Sequence, residues 1–184
     1  MIYFGQTHTE GNKPTRRYDM AWTIMRFPTK GLRIHTEQHP ELSPSRELYA
    51  KCQEWKDEGI WSPELFEERY VPEFIHELAR NMIAVGALNY LYQNRNKKDI
   101  ILLCGCADEQ MCHRRVVRSL LIGAHFDLSM ERARKHLEIE ETGIVQTDQD
   151  MLAGQCQDGP TRYWDLYRRY REHARSGRGQ ARTA

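Results

Sequence analysis

The spacing of apolar and polar residues changes period several times along the chain, and each change marks an element boundary. Met1 to Gly5 reads as a short strand, and a polar loop punctuated by glycine and proline follows from Gln6 to about Asp19. Met20 to Arg26 fits a second strand, broken by Phe27-Pro28-Thr29-Lys30-Gly31, and the stretch to Leu42 is irregular. Ser43 followed by Pro44 predicts a helix N-cap and first turn, with the helix running to about Asp57 and stopping at Gly59. Ser62-Pro63 repeats the signal. The helix it opens carries Phe66, Tyr70, Phe74, Leu78 and Met82 at every fourth position, with Leu65, Ile75 and Ile83 widening the stripe and Pro72 placed to kink it.

After the polar NRNKKD turn, Asp99 to Cys104 is a continuous apolar run, the pattern of a strand buried on both faces of a largely parallel sheet. A loop from Gly105 to Met111 leads into a helix in which Val116, Val117, Leu120 and Leu121 share one face. A short helix is expected after Ser129, and Glu138 to Gly159 shows no clear period. Pro160 opens a last helix with Tyr163, Trp164, Tyr167 and Tyr170 on one side and arginines on the other. The pattern predicts an α/β fold: a single domain over residues 1–175 with a mostly parallel, Rossmann-like sheet flanked by helices and a C-terminal helix. A disordered basic tail is expected over 176–184.

Composition changes this picture little. Of 184 residues, 40% are apolar and 29% charged, so one solvated domain with its own core is expected. No window approaches the roughly 18 apolar residues of a membrane span, and the N-terminus lacks the basic start and apolar stretch of a secretory signal, so the expected compartment is the cytoplasm. Charge is more informative. From Pro160 onward seven arginines face only Asp165 and Glu172, which leaves +5 on that segment and −4 on the rest of a chain with net charge +1. Attraction to nucleic acid is therefore expected, if anywhere, at the basic C-terminal helix. Its aromatic stripe reads first as a packing face, because helical spacing already explains it.

The chemistry concentrates after the buried strand. In open α/β sheets ligands bind beyond the carboxyl ends of the strands, where loops lead into helix N-termini. Cys104 ends the strand, and Cys112, His113 and Arg114 open the next helix. The unpaired N–H groups and partial positive charge of that helix end suit a phosphate or carboxylate, with Arg114 adding a bidentate grip. The same field favours a thiolate at Cys104 or Cys112, with His113 moving a proton. Against this, buried cysteine is a common packing residue. Three of the five cysteines fall within nine residues, a cluster that in a reducing compartment points to catalysis or metal binding before disulfides. A zinc site from Cys104, Cys106, Cys112 and His113 is an alternative, but C-x-C-x5-C-H lacks the paired knuckles of structural zinc, so the primary assignment names no metal ligand and no cofactor. Arg114 lies too far from either cysteine for a Cys-x5-Arg phosphate loop. Loop histidines His8, His35 and His39 read as solvated, whereas Arg26 sits at a strand end on the expected site edge.

The string LLCGCADEQMCHRR, with ELSPSREL and EGIWSPELFEERY before it, resembles the family known as domain of unknown function 488, marked by a strand ending LLC, a short acidic loop and then CHR. The resemblance covers roughly Arg26 to Leu121. It implies a compact α/β domain and a site built from Cys104, Cys112, His113 and Arg114, with Arg26 from the R-F-P turn and Ser43 and Ser45 from the L-S-P-S motif. Members of that family usually carry Glu where this chain has Cys106; Asp108 and Glu109 are the nearby carboxylates here. The expectation is an enzyme binding a phosphorylated small molecule, a nucleotide, or a nucleotide within nucleic acid. Its catalytic residues would be Cys104, Cys112 and His113, and its ligand-binding residues Arg114, Arg26, Ser43 and Ser45. The alternatives are a nucleic-acid-binding or regulatory module without catalysis, and a structural zinc site.

Overall fold

The computed structural model describes residues 1–12, 14, 17–27, 31–136 and 160–180. Four strands, β1 (Ile2–Gln6), β2 (Met20–Thr23), β3 (Glu37–Gln38) and β4 (Ile100–Cys104), form one sheet in the order β1-β4-β2-β3. Every pairing is parallel, so the architecture is α/β with a Rossmann-like parallel sheet. The apolar run IILLC occupies the inner position expected of it, between β1 and β2, and all five of its residues are buried. Register places Gln6 opposite Cys104 and Thr23 opposite Leu103, so the carboxyl ends of β1, β4 and β2 finish together.

Strand alternation sends Ile100, Leu102 and Cys104 to one face and Ile101 and Leu103 to the other. The first face carries the main core, built with α1 (Arg46–Asp57), α3 (Val71–Arg80), α4 (Met82–Asn94), α5 (His113–His136) and α6 (Pro160–Gln180). The second face is smaller, with Tyr3, Tyr18 and Ile34 over Ala21, Ile101 and Leu103. Ser62 caps α2 (Pro63–Leu65) by accepting from the Leu65 N–H at 3.2 Å, as its sequence predicts. Helical structure runs on past Pro72, in α3. A π-turn over Phe66–Tyr70 widens the helix immediately before it, and the Val71 N–H bonds to the Phe66 carbonyl, which makes room for a residue that clashes with the normal ladder. The predicted aromatic face of α6 packs inward: Tyr163 and Tyr167 are buried, and the Tyr163 hydroxyl donates to Glu67, which also pairs with Arg115.

Two expectations need correction. The cap of α1 is Ser45, not Ser43, because Pro44 precedes the first helical turn and Ser45 Oγ accepts from the Leu48 N–H at 3.0 Å. Ser129 starts no helix of its own; α5 continues through it to His136, since extending a helix costs less than nucleating one. Helix α6 runs to Gln180. The polar region after Glu138, Cys156, the Pro28–Lys30 break and residues 181–184 lie outside the described residues. Among the described residues no helix is long and apolar enough to cross a membrane.

Candidate functional site: a thiol and imidazole cluster at the carboxyl edge

Cys104 is fixed by the ladder of the central strand, and its carbonyl accepts from the Thr7 N–H at 3.0 Å. The loop from Gly105 to Cys112 turns back over the sheet edge, held to β1 by Gln6 Nε2 donating to the Ala107 carbonyl at 3.0 Å. It delivers Cys112 and His113 to the start of α5, directly against Cys104. Sulfur to sulfur, Cys104 lies 3.3 Å from Cys106 and 3.7 Å from Cys112. His113 Nδ1 lies 3.9 Å from both Cys104 Sγ and Cys112 Sγ. All four donor atoms fall within 4.8 Å of one another. Cys106 reaches the cluster because residues two apart in extended chain point to the same side. The sequence reading left it out of the primary site, and this i, i+2 relation with Cys104 is the signal that includes it.

The tautomer of His113 follows from its other nitrogen. Nε2 sits 2.6 Å from the Ile24 carbonyl, which only accepts, so Nε2 carries the proton and Nδ1 turns a lone pair toward the sulfurs. Phe74 closes the ring edge-on at 5.9 Å. The sulfurs differ in charge. Thiol donors from Cys106 and Cys112, outweighing the cost of burial, together with the Cys106 N–H and the Arg114 charge, pull the Cys104 thiol down to about 3. Cys112 is pushed up, because it and Cys106 share protons with that thiolate and because it is buried. The first negative charge of the cluster therefore belongs to Cys104.

The residues expected to grip an anion are placed differently. Arg114 is 3% exposed, donates to the Gly5 carbonyl, and meets Glu109 at 2.8 Å. Arg26 donates from Nε to the Pro44 carbonyl at 2.9 Å and from Nη2 to the carbonyls of Ser43 and Pro44. Ser43 is buried with its hydroxyl on the Pro40 carbonyl, and Ser45 is the α1 cap. Ile24, two residues before Arg26 in the chain, receives His113. Cys112 Sγ accepts the Arg114 N–H at 3.4 Å, so the helix start is capped by sulfur. His8 and His35 are exposed, while His39 stacks on Trp22 at 3.6 Å and bonds Glu41 at 2.7 Å, away from the cluster.

A thiolate, two further thiols and an imidazole lone pair aimed at one point make a soft-metal ligand set. Tetrahedral zinc with thiolates at about 2.3 Å and nitrogen near 2.05 Å needs sulfurs about 3.8 Å apart and sulfur to nitrogen about 3.6 Å. The Cys104 sulfur lies 3.3 and 3.7 Å from the other two, at or somewhat inside the first value, both measured sulfur to nitrogen separations of 3.9 Å slightly exceed the second, and all four atoms stay within 4.8 Å of one another.

No curated protein and no solved structure matches the chain. The family model of DUF488-N3a, described as the active DUF488-N3 subclade, matches residues 8–125, a range that includes the whole cluster and Arg26 and ends before α6. With nearly two thirds of its length under that match, the chain belongs to the DUF488 family.

Proposed function

We propose that this domain is a metalloprotein in which Cys104, Cys106, Cys112 and His113 bind one zinc-class divalent cation at the carboxyl edge of the sheet. One observation carries the reading: the Ile24 carbonyl commits His113 Nε2 as a donor, which leaves Nδ1 as a free base within 4.8 Å of three sulfurs. An outer carbonyl that orients a ligating histidine in this way is the usual support of a protein metal site. The match to a subclade described as active supports chemistry at this centre as well as bracing.

For a nucleophilic thiol or a bound phosphate the same edge offers less. Cys104 is 1% exposed, and both arginines that would hold a phosphorylated ligand are bonded to protein carbonyls. The test is metal analysis of the full chain, purified reduced from zinc-supplemented cells. One zinc per chain is expected, lost in Cys104→Ser and His113→Ala and kept in Cys52→Ser. Reduced protein that carries no zinc and takes up none on titration overturns the reading.

A second reading has its own support. Arg162, Arg168, Arg169 and Arg175 are exposed on α6 while its tyrosines pack inward, which suits phosphate contact without base stacking. Affinity for single- or double-stranded nucleic acid that falls steeply with salt, and weakens when these four arginines become glutamine, is the expected result. Binding that ignores salt excludes it.

A further inference from the structure

We infer that the centre is built three plus one: Cys104, Cys112 and His113 hold the cation, and Cys106 occupies a fourth position that an incoming oxygen or nitrogen donor takes in its place. This rests on the metal reading above. Three observations separate Cys106 from its partners.

The first is burial. Cys104 and Cys112 are each 1% exposed and His113 7%, whereas Cys106 is only half-buried and is followed by four exposed residues, Ala107 to Gln110. The second is anchoring. Cys104 sits in the β4 ladder, Cys112 and His113 start α5, and the His113 ring is tied to Ile24. Cys106 lies outside any strand or helix, and both its N–H, at 3.4 Å, and its thiol, at 3.3 Å, meet Cys104 Sγ. The third is direction. Phe74 and the Ile24 carbonyl close the histidine side, and Cys106 is the most exposed of the four donors. Replacing Cys106 therefore disturbs no framework element and uncovers a coordination position at the edge where parallel sheets bind ligands.

The exchange balances without an oxidant. With water as the incoming donor, the metal–sulfur bond to Cys106 breaks and a metal–oxygen bond forms. One water proton passes to the released sulfur, leaving a metal-bound hydroxide and a neutral thiol. Three protein ligands with one open position are the arrangement of catalytic zinc, which lowers the pKa of its water to near neutral, whereas four protein ligands are the closed structural form. Cys106 would convert one into the other.

Cobalt(II) in place of zinc reports both ligand number and exchange in the full chain. In Cys106→Ala, one cobalt per chain is expected to remain, with the thiolate charge-transfer band reduced by about a third as three sulfur ligands become two. Azide is expected to shift the visible bands of this variant. In the metal-loaded wild type, one equivalent of iodoacetamide is expected to label Cys106 before Cys104 and Cys112, leaving the metal bound and making the spectrum azide-sensitive. Far-ultraviolet circular dichroism checks that the variant is folded, and the alkylated wild type answers the same question without a mutation. The inference is overturned by Cys106→Ala losing cobalt as completely as Cys104→Ala, by a retained cobalt indifferent to azide, or by Cys104 or Cys112 alkylating first. A wild type that binds neither cobalt nor zinc removes the underlying metal reading itself, a separate and earlier failure.

Discussion

His113 and Ile24 are joined by a 2.6 Å bond from the imidazole Nε2–H to the main-chain carbonyl, across 89 positions of sequence. That bond sets which nitrogen faces the cysteines. In metal-free, reduced protein, nitrogen-15 spectra should therefore show the neutral His113 ring as the Nε2–H tautomer. A neutral ring protonated at Nδ1 would contradict the geometry and leave the sulfurs without a nitrogen partner.

Arg114, read from the sequence as an anion grip, bears on stability as well. Its guanidinium is buried and donates to the Gly5 carbonyl, so Arg114→Ala removes that bond and opens space beneath the β1 edge. Loss of a charge-assisted buried bond with its packing should cost about 2–4 kcal/mol. Glu109→Gln, on the 66% exposed partner, should cost less than about 1 kcal/mol. Thermal melts of the two variants decide the matter; an unchanged midpoint for Arg114→Ala would return this arginine to the role of a free anion grip.

Metal binding should depend on pH with a definite sign. The Cys104 thiol is held well below its ordinary range by the donors of Cys106 and Cys112, so it is the thiol that gives up its proton most readily. Cys112 is pushed above its ordinary range, so a metal displaces its proton on binding. Binding should release protons and weaken as pH falls, by about tenfold per pH unit for each proton released. Calorimetry in two buffers of different ionisation enthalpy measures the number. No proton release at neutral pH would mean that Cys112 is not a ligand.

The bond from Tyr163 to Glu67 fastens α6 to the π-turn, at 2.6 and 2.7 Å to the two carboxylate oxygens. Burial, then the Glu67 carboxylate, raise the Tyr163 hydroxyl well above its ordinary value of 10.0. A group raised on folding contributes fully below its unfolded value and loses that contribution as pH climbs toward the folded one, so the loss begins above about pH 10. Tyr163→Phe should lower stability near neutrality by about 1–3 kcal/mol and flatten the alkaline part of the stability profile. An alkaline profile identical to wild type would dissociate Tyr163 from that loss.

Much of the frame was legible along the chain because its causes are local. A continuous apolar IILLC run has only the sheet interior to occupy, and it became the inner strand β4. Ser62-Pro63 capped where it stood, and the four-residue spacing of α6 turned its tyrosines inward. Cap choice between Ser43 and Ser45 was not legible, since both precede a helix-forming stretch. It was decided when Arg26 drew the Ser43 and Pro44 carbonyls into an 18-residue contact.

The cluster divides the same way. Cys104, Cys112 and His113 were visible as a strand end and a helix start, and their meeting follows from a loop too short to carry them apart. That Cys106 joins them, that His113 presents Nδ1, and that Arg114 turns into the protein were decided by groups far away in sequence. The Gly5 carbonyl lies in β1 and the Ile24 carbonyl just past β2, the two strands that flank β4, and both reach the site only once the sheet has paired. A sequence specifies which donors and acceptors exist. Only the closed sheet determines which of them lie within bonding distance, and so which side chains remain free for chemistry.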